Sequence, residues 1–160
     1  MVSDAGIGAL TTYRVSPQGT LSEISQVPDG QLAPCWVALN GNGTEAFAAK
    51  AHSGTVSAYA VAADGALTLR SPAVAARPGV GDTDIAVGGH DSLLCISDHP
   101  DLDSSAISAS GSLGPAAPAV TGLATGTFGL AAANTTTYGY GSERLLQRAS
   151  VQGGGCCHVR

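Results

Sequence analysis

Little in this chain is equipped for chemistry. Of its 160 residues only 12% are charged, with seven Lys plus Arg, twelve Asp plus Glu and four His. His52 and His99 are of the type that takes a proton from water near neutral pH, and Asp98, beside His99, is of the type that orients an imidazole. Lys50 and Arg77 could bind a phosphate or carboxylate. No motif reinforces them: there is no G-x-S-x-G turn, no H-E-x-x-H pair and no glycine-rich phosphate loop. Each therefore has a plainer alternative as a solvated loop residue.

Cysteine adds no metal site. Cys35 and Cys95 lie in apolar, strand-like segments as small hydrophobes. Cys156, Cys157 and His158 are adjacent, and neighbouring cysteines address one tetrahedral ion less easily than a C-x-x-C pair. They are expected in an irregular tail, with no metal and no cofactor. Asn42-Gly-Thr44 and Asn134-Thr-Thr136 match the glycosylation pattern, which short sequences match often by chance.

The net charge of −5 and the lack of any basic cluster argue against nucleic acid, which needs clustered cations to release counterions. No apolar run is long enough for a membrane helix, and the opening residues lack the basic-then-apolar order of a signal peptide, so a cytoplasmic protein is expected. Abundant glycine, 22 residues, and only 4% aromatics favour tight strands and turns over long helices.

Those turns recur. Leu10 to Leu21 aligns with Val56 to Leu67, placing Tyr13 on Tyr59, Val15 on Val61, Gly19 on Gly65 and Leu21 on Leu67, each 46 positions apart. The same step carries Val61 to Ile107, Gly65 to Gly111 and Leu67 to Leu113. Within a copy, period-two alternation predicts a half-buried strand, then a turn around Gly19 or Gly65, then a second strand. A second hairpin precedes it: Trp36 to Leu39, a turn at Asn40 to Gly43, and Ala46 to Ala49. That hairpin aligns with Asp84 to Val87, Gly88 to Asp91 and Leu93 to Ile96. His90 and Asp91 are thus turn residues. Two hairpins per repeat make a four-stranded unit, the size of a propeller blade.

The string Pro34-Cys-Trp-Val-Ala-Leu-Asn-Gly-Asn-Gly43, with Ala46-Phe-Ala-Ala49 and Ser53-Gly-Thr-Val-Ser-Ala-Tyr-Ala-Val-Ala-Ala-Asp-Gly-Ala-Leu67, resembles the lactonase family of seven-bladed β-propellers. The likeness covers roughly residues 3–133. It implies an all-β, incomplete propeller: a half-blade at 3–27, a blade at 34–75, an eroded blade at 83–121 and the start of another at 126–133, followed by an atypical tail at 134–160. The sequence departs from the pattern at Ala49-Lys50-Ala51, where the family has Asn, and at Phe47, where it has Tyr. His99-Pro-Asp-Leu-Asp103 replaces a Ser-Gly-Thr lead-in, and half a strand looks missing before Ile107.

The resemblance implies hydrolysis of a sugar-acid lactone of the 6-phosphogluconolactone type, a carboxylic-ester hydrolysis with no cofactor. By analogy with propellers, ligands meet the loops over the channel. That assigns His52, His99 and Asp98 to catalysis and Lys50, Arg77 and Asp84 to substrate binding. Seven blades at this period need about 320 residues. Further blades, or a homo-oligomer joined through open blade edges, would be needed to close a ring. The alternative is a non-catalytic fragment or interaction scaffold.

Overall fold

The computed structural model describes residues 1–75, 84–89, 91, 93–98, 101–124 and 129–132. These residues are all β, in eleven strands and three antiparallel sheets, with no helix among them. The first sheet is β1 (Val2–Asp4), β2 (Ala9–Val15) and β3 (Leu21–Pro28), in that order. The second is β4 (Pro34–Leu39), β5 (Glu45–Lys50), β6 (Thr55–Val61) and β7 (Leu67–Ala75), each paired with the next. The third is β8 (Asp84–Gly88), β9 (Leu93–Asp98), β10 (Asp101–Ala106) and β11 (Ala117–Val120). Meandering four-stranded sheets laid side by side are propeller blades.

The same turn closes the outer hairpin of all three sheets. Gly19 donates its N–H to Ser16 O at 2.9 Å, Gly65 to Ala62 O at 2.8 Å and Gly111 to Ser108 O at 2.9 Å. All three glycines take positive φ, at 82°, 91° and 78°. A type I turn followed by a left-handed residue matches the twist of the flanking strands, and glycine reaches that conformation at least cost.

Packing between sheets makes two cores. Leu10, Ala46, Ala48, Tyr59 and Leu67 fill the space between the first and second sheets. Phe47, Ala49, Val56, Ala58 and Ile85 fill that between the second and third. Adjacent residues of β5 therefore point into different cores, and all six of its residues are buried. Val56 to Tyr59 of β6 are buried in the same way, which corrects the half-buried reading of that strand. The alternation is present, but blades stacked on both sides bury both faces, and alanine fits where two sheets approach closely.

Two further expectations are revised. The opening sheet has three strands, since β1 pairs with β2 from Val2↔Thr11 to Asp4↔Ala9. Nor is a strand half missing before Ile107. β10 runs directly up to it and pairs with β9 over its full length, Asp101↔Asp98 to Ala106↔Leu93. Polar Asp103 and Ser105 hid this strand from apolar periodicity, yet both are buried. Of the expected next blade, residues 129–132 are described and form no strand. They touch β8 at both ends, Gly129 N–H on Asp84 Oδ2 and Ala132 against Gly88.

Among the described residues no helix is long and apolar enough to cross a membrane. The tail at 134–160, with Cys156, Cys157 and His158, lies outside the described residues.

Candidate functional site

Three connections meet at one end of the first two sheets: residues 5–8 between β1 and β2, 29–33 between β3 and β4, and 51–54 between β5 and β6. They are bonded to one another. Asp29 N–H reaches Gly8 O at 3.3 Å, and Ala51 N–H reaches Ala33 O at 2.9 Å. Leu32 N–H donates to Ser53 Oγ at 2.8 Å, and Thr55 Oγ1 to Gln31 Oε1 at 3.2 Å. A Cβ on Gly8, at φ +65°, would strike the Gln31 carbonyl oxygen, so glycine is what lets the first two loops close. Ala33 is held at φ 55°, a conformation non-glycine residues keep only where their surroundings impose it.

Beneath this face lies a buried polar cluster. Asp29 leaves β3, Lys50 ends β5, and Tyr59 rises from β6. Lys50 Nζ stands 2.8 Å from Asp29 Oδ2, and both side chains are fully buried. Tyr59 OH donates to the same oxygen at 2.9 Å, while Asp29 Oδ1 accepts the Gln31 N–H at 3.0 Å. The ammonium also lies 5.7 Å from the Tyr59 ring centroid. Neither Ser57 Oγ, buried beside the group, nor the ammonium itself makes a well-directed hydrogen bond, so Lys50 is held to Asp29 as an ion pair.

The electrostatics follow from burial set against pairing. Burial alone would push the Asp29 carboxyl up, but Lys50, Ser57 and the Gln31 N–H outweigh it and hold the carboxyl below its ordinary range. Burial wins at Lys50, whose ammonium is lowered despite Asp29. At Tyr59, burial and the adjacent carboxylate both raise the phenol.

The six residues singled out from the sequence fall in different places. His52 is exposed at the tip of the 51–54 loop. Lys50, two residues earlier, is buried and its charge is spent on Asp29, so it presents no ammonium on the face. Asp84 is also buried, and accepts the Gly129 N–H at 2.5 Å. Asp98 ends β9. His99 and Arg77 lie outside the described residues. Among the described residues no group of three His, Cys, Asp or Glu could hold a metal ion.

Asp29 is not among the residues singled out from the sequence. The available signal was Lys50 itself: an ammonium closing an otherwise apolar strand needs a carboxylate nearby. A second charged pair marks the far end of β5, where Arg70 grips Glu45 with two bonds at 2.7 and 3.1 Å.

The sequence matches the family Lactonase, 7-bladed beta-propeller, over residues 2–84. The chain belongs to this family. Solved structures agree on the lactonase fold. A candidate 6-phosphogluconolactonase from Bacteroides uniformis aligns with 79% of this chain at TM-score 0.63 and 21% identity, using 39% of its own length. One from Bacteroides fragilis aligns with 69% at TM-score 0.62 and 17% identity, using 32% of its length. A protein from Lactobacillus plantarum aligns with 69% at TM-score 0.60 and 23% identity, using 35% of its length. The chain thus spans between three and four tenths of these structures. No curated protein matches the sequence.

Proposed function

We propose that this chain contributes to a lactonase propeller that opens a sugar-acid lactone of the 6-phosphogluconolactone type, with His52 as the base. What supports the reading is an exposed imidazole at the tip of a loop bonded to its neighbouring connection, in a chain of the lactonase family. In the step, a water oxygen bonds to the lactone carbonyl carbon as its proton passes to the imidazole. Collapse of the tetrahedral intermediate breaks the ring C–O bond, and the imidazolium returns the proton to the leaving hydroxyl. His99, with Asp98 beside it, is the second candidate base, and Arg77 the candidate anion-binding residue. Lys50, held by Asp29, is assigned no contact with substrate. A cytoplasmic location goes with this reading.

The test is proton release from 6-phosphoglucono-1,5-lactone, followed in a pH-stat with the full-length polypeptide. Acceleration over spontaneous hydrolysis is expected, with His52→Ala lowering kcat by roughly a hundredfold. A full rate in that variant would remove His52 from the mechanism. A rate no faster than water would leave a non-catalytic scaffold.

A further inference from the structure

We infer that Asp29 is a positioning residue for His52, each of its carboxylate oxygens holding one of the two loops that frame the imidazole. The inference rests on His52 being the base. Oδ1 takes the Gln31 N–H and folds back the connection 29–33; Oδ2 takes Lys50, the residue from which the His52 loop departs.

The loop itself is closed by Lys50, whose carbonyl accepts the Gly54 N–H at 2.8 Å. The residues on either side of His52 are then bonded back to the connection that Asp29 shapes: Ala51 N–H to Ala33 O, and Ser53 Oγ from Leu32 N–H. His52 therefore stands on a bracket whose two arms share one carboxylate. Stability alone is a weak reason for this arrangement, because a buried ion pair is often no more stabilising than apolar residues of equal volume. What this carboxylate supplies that apolar residues do not is a fixed spacing. Oδ1 is hydrogen-bonded to the Gln31 N–H and Oδ2 is paired with the Lys50 ammonium at 2.8 Å, so the two segments are held at one separation, and catalysis is sensitive to displacements of about an ångström.

The decisive variant is Asp29→Asn/Lys50→Met, which removes both charges and leaves neither stranded. It should keep a thermal midpoint close to that of the wild type while kcat for 6-phosphoglucono-1,5-lactone falls roughly tenfold or more and KM moves by less than about twofold. Independently of activity, the Leu32 and Ala51 amides should exchange roughly tenfold faster, with the Ala48 and Tyr59 amides unchanged. If the double variant does not fold, Asp29→Glu is scored in the same way. It retains the charge facing Lys50 but is one methylene too long to keep both bonds. Wild-type kcat with wild-type loop exchange would overturn the inference and leave Asp29 as a stability element. If the wild type itself does not accelerate lactone opening, the proposed reaction fails, while loop exchange still decides whether Asp29 sets the loops.

Discussion

Gly111, in the turn after β10, lies directly over the carboxylate of Glu45 at the start of β5. A Cβ there would overlap the carboxylate, which Arg70 holds from the other side with two bonds. This is how the third sheet rests on the second at the end opposite the loop face. Gly111→Ala should destabilise the chain by about 2–3 kcal/mol, combining left-handed strain with the collision. Gly19 has the same role in the first sheet and a φ of 82°, but nothing within 4 Å of its Cβ position. Gly19→Ala should cost only the strain, about 1 kcal/mol. Urea midpoints of the two variants check the difference.

Breaking the buried pair from one side should be severe. Lys50→Met leaves the Asp29 carboxylate buried without its cation, at a cost of about 3–5 kcal/mol. Adding Asp29→Asn should recover most of that loss. Equal losses in the single and double variants would mean that packing, and not charge, dominates at Lys50.

The cluster also sets a pH response. The folded Asp29 value lies below the ordinary 3.8, so its contribution is present above that value and is lost as pH falls through the lowered one. Tyr59, raised above the ordinary 10.0, contributes below that value and loses its contribution as pH climbs past it. Lys50, lowered from 10.5, acts in the opposite sense, adding stability as pH rises toward its ordinary value. Thermal midpoints should therefore show an acid limb, below about pH 4, that flattens in the Asp29→Asn/Lys50→Met variant. Absorbance titration should show Tyr59 ionising only as the chain unfolds.

The Arg70–Glu45 pair should matter less despite its good geometry. Arg70 is 39% exposed, and solvent screens it. Arg70→Ala should cost about 1 kcal/mol, with the penalty shrinking in 1 M salt. A penalty that ignored salt would assign the effect to the arginine stem rather than its charge.

The parts of the fold that could be read in the sequence were those governed by local backbone demands. Gly19, Gly65 and Gly111 stand 46 apart because the same turn needs a left-handed residue three times, and the structure places all three there. Features set by neighbouring sheets were much less legible. Ala46 and Ala48 point one way and Phe47 and Ala49 the other, and a pattern read along one strand does not reveal that both sides are covered. β10 went partly unseen because its buried positions include Asp103 and Ser105, which resemble solvent-facing residues until a packed sheet lies over them. In the candidate site, His52 declared itself by type and loop position. Asp29 did not, because its significance comes from Lys50, 21 positions away. Only the folded chain joins the two.

The alanines of β5 have a geometric effect larger than their size. Side-chain bulk between neighbouring sheets acts as a wedge, and in a circular array the wedge angles must sum to one full turn. Toward the third sheet Phe47 supplies most of the wedge from β5, while Ala49 beside it, and Ala46 and Ala48 toward the first sheet, add little to it. Enlarging any of them to leucine would spread two sheets apart and change the curvature along which every later sheet is laid. Three buried methyl groups thus help set the angle at which each neighbouring sheet is laid.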